Sequence, residues 1–328
     1  MVIAAHTPST RVSLQRRTIC VQNPEGETCR VPIEEVERVI LGSRVSVTSA
    51  CLARLLGTGI PVAIISTGGR YLGSFEPATP PRGLAKRLQM ASSADLGTRL
   101  SIATSLLDSK FYNMRRALAR LNQRRRQFDP QVLTQFKHLA RDLTRAESIE
   151  SLRGLEGAAT ARYYQQWATF LPPEFSFVRR SRRPPLNAVN AVISYTSSLV
   201  YGEILSACQA RGLETAFAYL HETTDDRHSL PLDLMEPYRP CLIEPLALRM
   251  FSLGILNERH FQPHGQGIYL APLGRQLLLE QYEDRLTRPF LNPATECRTT
   301  FRQLLRQCPL DLKIALANPA CYSPFKMP

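Results

Sequence analysis

No stretch of this chain is apolar for long enough to cross a bilayer. The longest, around Ile60–Ile65, falls far short of the ~20 residues that a spanning helix needs. The opening segment MVIAAHTPSTRVSLQRR has no basic region followed by a sustained apolar core, so it does not read as a secretory signal. Cysteines are few, eight in 328 residues, and no two stand in C-x-x-C spacing. That spacing would be needed for the usual zinc and redox motifs. The expected setting is therefore a reducing cytoplasm, with the thiols buried. No internal repeat is visible. Acidic residues are outnumbered, 28 Asp+Glu against 41 Lys+Arg, which leaves a net charge of +13. Such an excess calls for a polyanionic partner, nucleic acid or an acidic membrane surface. Arginine dominates it, and the fork-shaped guanidinium suits phosphate. Hydrophobic residues at 44% and charged residues at 21% are those of a globular chain of one or two domains.

The texture changes near residue 80. Before it, RVSLQ and TICVQ alternate as short strands, and the NPEGE between Gln22 and Thr28 is turn chemistry. VERVILG and VAIIS read as further strands, the second apolar enough to be buried on both faces. SVTSACLARLLGTG between them fits a helix, capped by Thr48 or Ser49 and stopped by Gly57 and Gly59. RYLGSF adds a last strand, and EPATPPRG, with three prolines and a glycine, reads as a linker. The expected architecture is α+β: a β-rich domain over 1–76, a linker over 77–83, and a larger all-α domain over 84–328.

Beyond the linker, apolar residues recur at helical intervals over 84–110, 111–127 and 131–145. The segment KFYNMRRALARLNQRRRQ carries six arginines within four turns, too many for one face. Residues 146–170 form the next helix. Ile149, Leu152, Ala159, Tyr163 and Trp167 make its inward stripe, and Glu156 lies close to that stripe between Gly154 and Gly157. Each glycine costs a helix interior roughly 1 kcal/mol relative to alanine. Two of them around one glutamate imply either a kink or the close approach of a backbone or ligand. Arg179, Arg180, Arg182 and Arg183 cluster on a loop that Pro184 and Pro185 end, and a long helix follows from Asn187 to Gly212. Arginines beside a helix N-terminus suit phosphate, although a solvated basic loop has the same composition.

HETTDDRHSLPLDLMEPYRP, residues 221–240, gathers carboxylates around histidine. AFAYLH brings His221 to the end of an apolar approach. Ser229 can cap a short helix that tolerates Pro231 in its first turn. Asp233 and Glu236, three apart, then share one face until Pro237 and Pro240 disturb the helix. One imidazole and two or three carboxylates suit Mn²⁺ or Mg²⁺ better than a structural zinc ion. A structural His–Asp pair accounts for much of the same pattern.

The ordered set RGLEGAAT, RRSRRPPLNAVNAVISYTSSLVYGE, GLETAFAYLH and SLPLDLMEPYRP resembles the catalytic integrase subunit of CRISPR adaptation. The likeness runs over nearly the whole chain. It implies a divalent-metal-dependent DNA endonuclease and integrase that inserts new spacers into a CRISPR array by transesterification. It also implies that Glu156, His221 and Glu236 bind the metal, with Asp233 supporting them as a fourth catalytic residue. Arg162, Arg179, Arg180, Arg182 and Arg183 are the candidate DNA-binding residues. The implied partners are double-stranded DNA (the prespacer and the repeat–leader), a second copy of the chain joined through the β domain, and a small companion adaptation subunit docked near 296–328. One departure stands at Asn187-Ala188, where the family usually has Asp or Asn followed by Pro. Alternatives are a non-catalytic basic DNA-binding protein, a small-substrate phosphoesterase, which the net charge disfavours, and a transposon-borne relative of the same integrases.

Overall fold

Short runs rich in valine and isoleucine build the first of two units, Met1–Pro81. The computed structural model describes all residues except Gly68, Arg70, Thr79, Pro80, Pro81 and Pro293. The strands are β1 Val2–Ala5, β2 Arg11–Gln15, β3 Thr18–Gln22, β4 Thr28–Pro32, β5 Arg38–Gly42, β6 Ser46–Val47, β7 Val62–Ile65 and β8 Tyr71–Phe75. One sheet runs β1-β5-β7-β8, parallel except for β8, and the other runs β4-β3-β2-β6. Helix α1, Ser49–Gly57, starts where the Thr48 hydroxyl accepts the Cys51 N–H at 3.3 Å. Val12, Ile19, Val39, Leu41, Cys51, Leu55 and Val62 are among the buried residues of the unit's core. β7, the VAIIS strand, is bonded on both sides, by β5 and β8, and so is not a sheet edge. The expected strand start at Arg70 and residues 79–81 of the expected linker lie outside the described residues.

The second unit, Arg82–Pro328, is mainly helical. It contains α2 Gly83–Ala94, α3 Leu96–Arg125, α4 Val132–Leu143, α5 Ile149–Trp167, α6 Ala188–Ala210, α7 Leu230–Met235 and α8 Glu244–Ser252. A hairpin of β9 Phe261–His264 and β10 Gly267–Leu270 follows, then α9 Pro272–Thr287, a second hairpin of β11 Phe290–Asn292 and β12 Cys297–Thr299, and α10 Phe301–Ala315. The sequence reading of an all-helical unit missed both hairpins, whose strands are only three or four residues long. It also divided the early helices in the wrong place. The break falls at Asp95, whose carboxylate caps α3 by accepting the Thr98 N–H at 2.8 Å. No proline interrupts the 30 residues that follow, and their one glycine, Gly97, lies in the first turn.

Helix α3 is the axis on which the site is built. It packs against α4, α5 and the turn Glu236–Tyr238. Asn187 caps α6 by accepting the Asn190 N–H at 2.8 Å, so the departure at Ala188 leaves that helix start intact. At the other end, Gly212 adopts φ +70° and the Leu213 N–H reaches the Cys208 carbonyl at 3.0 Å. This close suits glycine, which has no Cβ to strain a left-handed residue. Five cysteines are buried, but Cys29, Cys297 and Cys321 are exposed, against the expectation of buried thiols.

Candidate active site

The loop 219–221 and α7 are fastened together by one carboxylate. Asp233 is fully buried. Its Oδ2 accepts the backbone N–H groups of Tyr219 at 2.6 Å and Leu220 at 2.9 Å. Its Oδ1 accepts the His221 N–H at 2.9 Å and the His221 ring at Nδ1, 2.6 Å away. An ionised carboxylate only accepts, so Nδ1 carries a proton, and in the neutral ring Nε2 keeps its lone pair. Asp233 thus fixes both the tautomer and the angle of the imidazole, as carboxylates do behind metal-binding histidines. Ser229 stands at the N-cap of α7, but its hydroxyl does not cap the helix; it donates to the Glu222 carbonyl at 2.6 Å.

Glu236, one residue past α7, is held differently. The chain tightens into a 3₁₀ turn over Glu236–Tyr238 and widens into a π turn over Arg239–Ile243 before α8 begins. Pro237 and Pro240, each lacking a backbone N–H, fall in this changing stretch, and Pro245 lies in the first turn of α8. It brings Arg239 Nε to 2.8 Å from Glu236 Oε1, while Lys110 Nζ of α3 lies 2.6 Å from Glu236 Oε2. Burial works against the Glu236 charge, but Arg239, Lys110 and the nearby His221 hold its carboxyl well below the usual range.

Lys110 also donates to Glu156 Oε1 of α5, an oxygen that accepts the Thr160 hydroxyl at 2.8 Å. The Lys110 side chain is 2% exposed. Burial opposes its charge, yet Glu236 and Glu156 together keep its ammonium above the ordinary lysine value. The structure therefore brings Glu156 and Glu236 together on one cation, and sets His221 beside them on its Asp233 support. Gly154 and Gly157 leave open space where a Cβ would stand, so no protein backbone approaches there.

A cavity of about 540 Å³ reaches this cluster at Lys110 and Glu156, while Glu236 and His221 lie outside its lining. Gly157 and the arginines Arg179, Arg180, Arg182 and Arg239 line it as well. The three loop arginines differ. Arg179 and Arg182 are exposed. Arg180 is tied to α6 through Asn190 Oδ1 at 3.0 Å and Ser194 Oγ at 2.9 Å. Burial draws the Arg180 guanidinium down to about 10. Arg162 and Arg183 are exposed and lie outside the cavity lining. Of the six arginines on α3, Arg116 and Arg120 hold the Pro328 carbonyl, Arg125 holds that of Phe170, and Arg115 stacks on Tyr112.

Sequence reasoning missed Lys110, Arg239 and Glu244. Glu244 lines the same cavity, is 2% exposed, and accepts the Tyr164 hydroxyl at 2.9 Å. A signal for Lys110 was available, because it stands within the buried stripe of Leu106, Leu107, Phe111 and Met114. A lysine there needs a partner.

Among the described residues, no three His, Cys, Asp or Glu side chains enclose a point where a metal ion would sit. The donors nonetheless suit a hard divalent cation: two converging carboxylates and an imidazole with Nε2 available. The two carboxylates presently converge on the Lys110 ammonium. No helix among the described residues is long and apolar enough to cross a membrane.

Residues 3–284 match the family model described as CRISPR associated protein Cas1. CRISPR-associated endonuclease Cas1 2 of Moorella thermoacetica is 28% identical over 304 residues, 92% of each chain. A CRISPR-associated exonuclease Cas4/endonuclease Cas1 fusion of Rhodospirillum rubrum is 32% identical over 308 residues, 92% of this chain and 53% of the fusion. Among solved structures, a Cas1 protein from Thermotoga maritima superposes with a TM-score of 0.83 at 25% identity over 97% of each chain. A Cas6-RT-Cas1–Cas2 complex matches at 0.83 and 25% identity, all of this chain corresponding to 36% of that one. A casposase bound to integration product, at 0.88 and 20% identity over all of this chain and 93% of that one, shares the fold.

Proposed function

The chain belongs to the Cas1 family and is a DNA integrase of CRISPR adaptation; we propose that it works through Glu156, His221 and Glu236 with a divalent metal. The observation that carries this reading is the cavity joining Glu156 and Lys110 to the loop arginines, in a chain of net charge +13. Glu156, Glu236 and Nε2 of His221 would hold Mn²⁺ or Mg²⁺. When bound, such an ion polarises a phosphoryl oxygen and neutralises developing charge.

The protein's own residues supply position and exclusion. Asp233 holds the imidazole in one tautomer and one orientation. Arg239 keeps Glu236 ionised and aimed at the shared point. The DNA backbone enters over the exposed Arg179 and Arg182, while Arg180 braces their loop against α6 and sets its shape. A DNA 3′-hydroxyl then attacks the phosphodiester at the repeat boundary. One phosphorus–oxygen bond forms as another breaks, the attacking hydroxyl gives up its proton, and the departing oxygen takes one. No protein nucleophile is required, and most of the advantage comes from alignment.

We also propose that the β-rich unit mediates a homodimer, with β1, β8, β4 and β6 as the sheet edges available within it. A monomer in sedimentation at micromolar concentration would oppose this. A companion subunit is supported by the similar Cas1–Cas2 complex. The test of the catalytic reading is Glu156→Ala in Mn²⁺. Strand transfer and its reversal on branched DNA should both collapse, with DNA affinity and melting temperature held. A folded variant that still joins DNA ends at the wild-type rate would overturn it.

A further inference from the structure

Lys110 is a full positive charge at the one point where both proposed metal-binding carboxylates meet. Its ammonium donates to Glu156 and lies 2.6 Å from Glu236. The side chain is 2% exposed, and it also lines the cavity that carries the loop arginines. No mechanistic step above uses it. Two carboxylates brought together in a buried site repel each other unless a cation lies between them. Arg239 does not bridge the pair, since its Nε bonds to Glu236 Oε1, the oxygen that Lys110 does not hold. Glu156 is bound by Lys110 and by the neutral hydroxyl of Thr160.

We propose, resting on the metal-site reading above, that Lys110 is a resident counter-cation which the divalent ion displaces when the site loads. The ammonium keeps Glu156 and Glu236 ionised and facing one another before loading. Metal binding is then an exchange of cations, and the ion gains only the difference between its own attraction and that of the ammonium. The freed ammonium does not have to leave the site, because it already borders the cavity. There the available anion is the phosphate of bound DNA, beside Arg179 and Arg182. Metal loading and DNA occupancy would then favour each other, each providing for the charge that the other leaves unpaired.

The exchange predicts an effect opposite in sign to that of an ordinary ligand or positioning residue. Lys110→Met removes the competitor and keeps a side chain of similar length. Mn²⁺ titrations followed by the electron paramagnetic resonance of the free ion should show Lys110→Met binding at least ~10-fold tighter than wild type, a charge effect of ordinary size for close groups. Its metal-free melting temperature should fall, and the rise on adding Mn²⁺ should exceed that of wild type. A second measurement uses the unaltered protein and so does not depend on the variant folding. Reductive methylation with labelled formaldehyde, read by mass spectrometry, should leave Lys110 protected without metal and modified once Mn²⁺ saturates the site. Equal or weaker Mn²⁺ binding by Lys110→Met, or a Lys110 still protected in the Mn²⁺-saturated wild type, would overturn the exchange while leaving the metal site standing. Wild type that binds no Mn²⁺, or Glu236→Gln that binds it as wild type does, would overturn both the exchange and the metal-site reading.

Discussion

Asp233 and Glu236 lie three residues apart in the same buried stretch, yet they are held by opposite means. Asp233 is saturated by groups that cannot leave: three backbone N–H donors and an imidazole. Glu236 is satisfied by the tips of two long side chains, Lys110 and Arg239. The first arrangement fixes geometry, because backbone amides have nowhere else to turn. The second fixes charge but permits exchange, because an ammonium on a flexible stem can be replaced by another cation. The difference assigns the roles within one motif. In the proposed mechanism Asp233 is the support, and Glu236, with Glu156 across from it, is the working pair.

The sharpest way to break this contrast is Asp233→Ala. It leaves three backbone N–H groups, two of them buried, and the His221 ring without an acceptor. At ~1–3 kcal/mol for each unsatisfied group, stability should fall by about 4 kcal/mol. The melting temperature should drop by about 10 °C, and strand transfer should disappear with it. Calorimetry showing a fall of less than about 2 °C would mean that Asp233 does not hold the loop.

Glu156→Ala sharpens the other side. Glu156 is only half-buried, and alanine suits the interior of α5. The melting temperature should stay within about 2 °C of wild type, while single-turnover strand transfer falls by about 10³-fold. A large loss of stability with activity retained would reverse the two roles.

The loop arginines repeat the contrast on a smaller scale. Replacing Arg179, Arg182 and Arg183 together with alanine should flatten the salt dependence of DNA binding by up to ~0.9 log units per lost phosphate contact, with little change in stability. Arg180→Ala should do the reverse, lowering the melting temperature by a few degrees through loss of its bonds to Asn190 and Ser194. Equal salt slopes in all variants would show that the exposed arginines do not touch the DNA backbone.

The smallest expected effect belongs to Glu244. Burial raises its carboxyl above the ordinary value of 4.5, outweighing the opposing pull of Arg239. A raised carboxyl resists ionisation in the folded state, so its stabilising share is complete below pH 4.5 and is lost as pH rises through the folded value. Glu244→Gln should therefore melt about 2 °C above wild type at pH 8, with the gap closing toward pH 4.5. A gap that widens in acid would place the sign of the Glu244 shift in the opposite direction.

Much of the site was legible because its residues occur in order in short motifs. Glu156 is marked by its two glycines, His221 by the apolar run before it, and Asp233 and Glu236 by their spacing. What was not legible is the side that tertiary packing supplies. Lys110 lies 46 residues from Glu156 and 126 from Glu236, so no local pattern links them. The β-rich unit could be read from alternation and turn residues, but the sheet order could not, because β5, β7 and β1 pair across intervening elements. The two short hairpins of the helical unit escaped because three- and four-residue strands carry too little periodicity to register.

Anomalous scattering from Mn²⁺ in a crystal of the protein tests the central claim most directly. The account predicts one strong peak within coordination distance of Glu156, Glu236 and Nε2 of His221, with Asp233 still bonded to Nδ1. A peak ligated by Asp233 itself, or manganese bound away from Glu156 and Glu236, would contradict it.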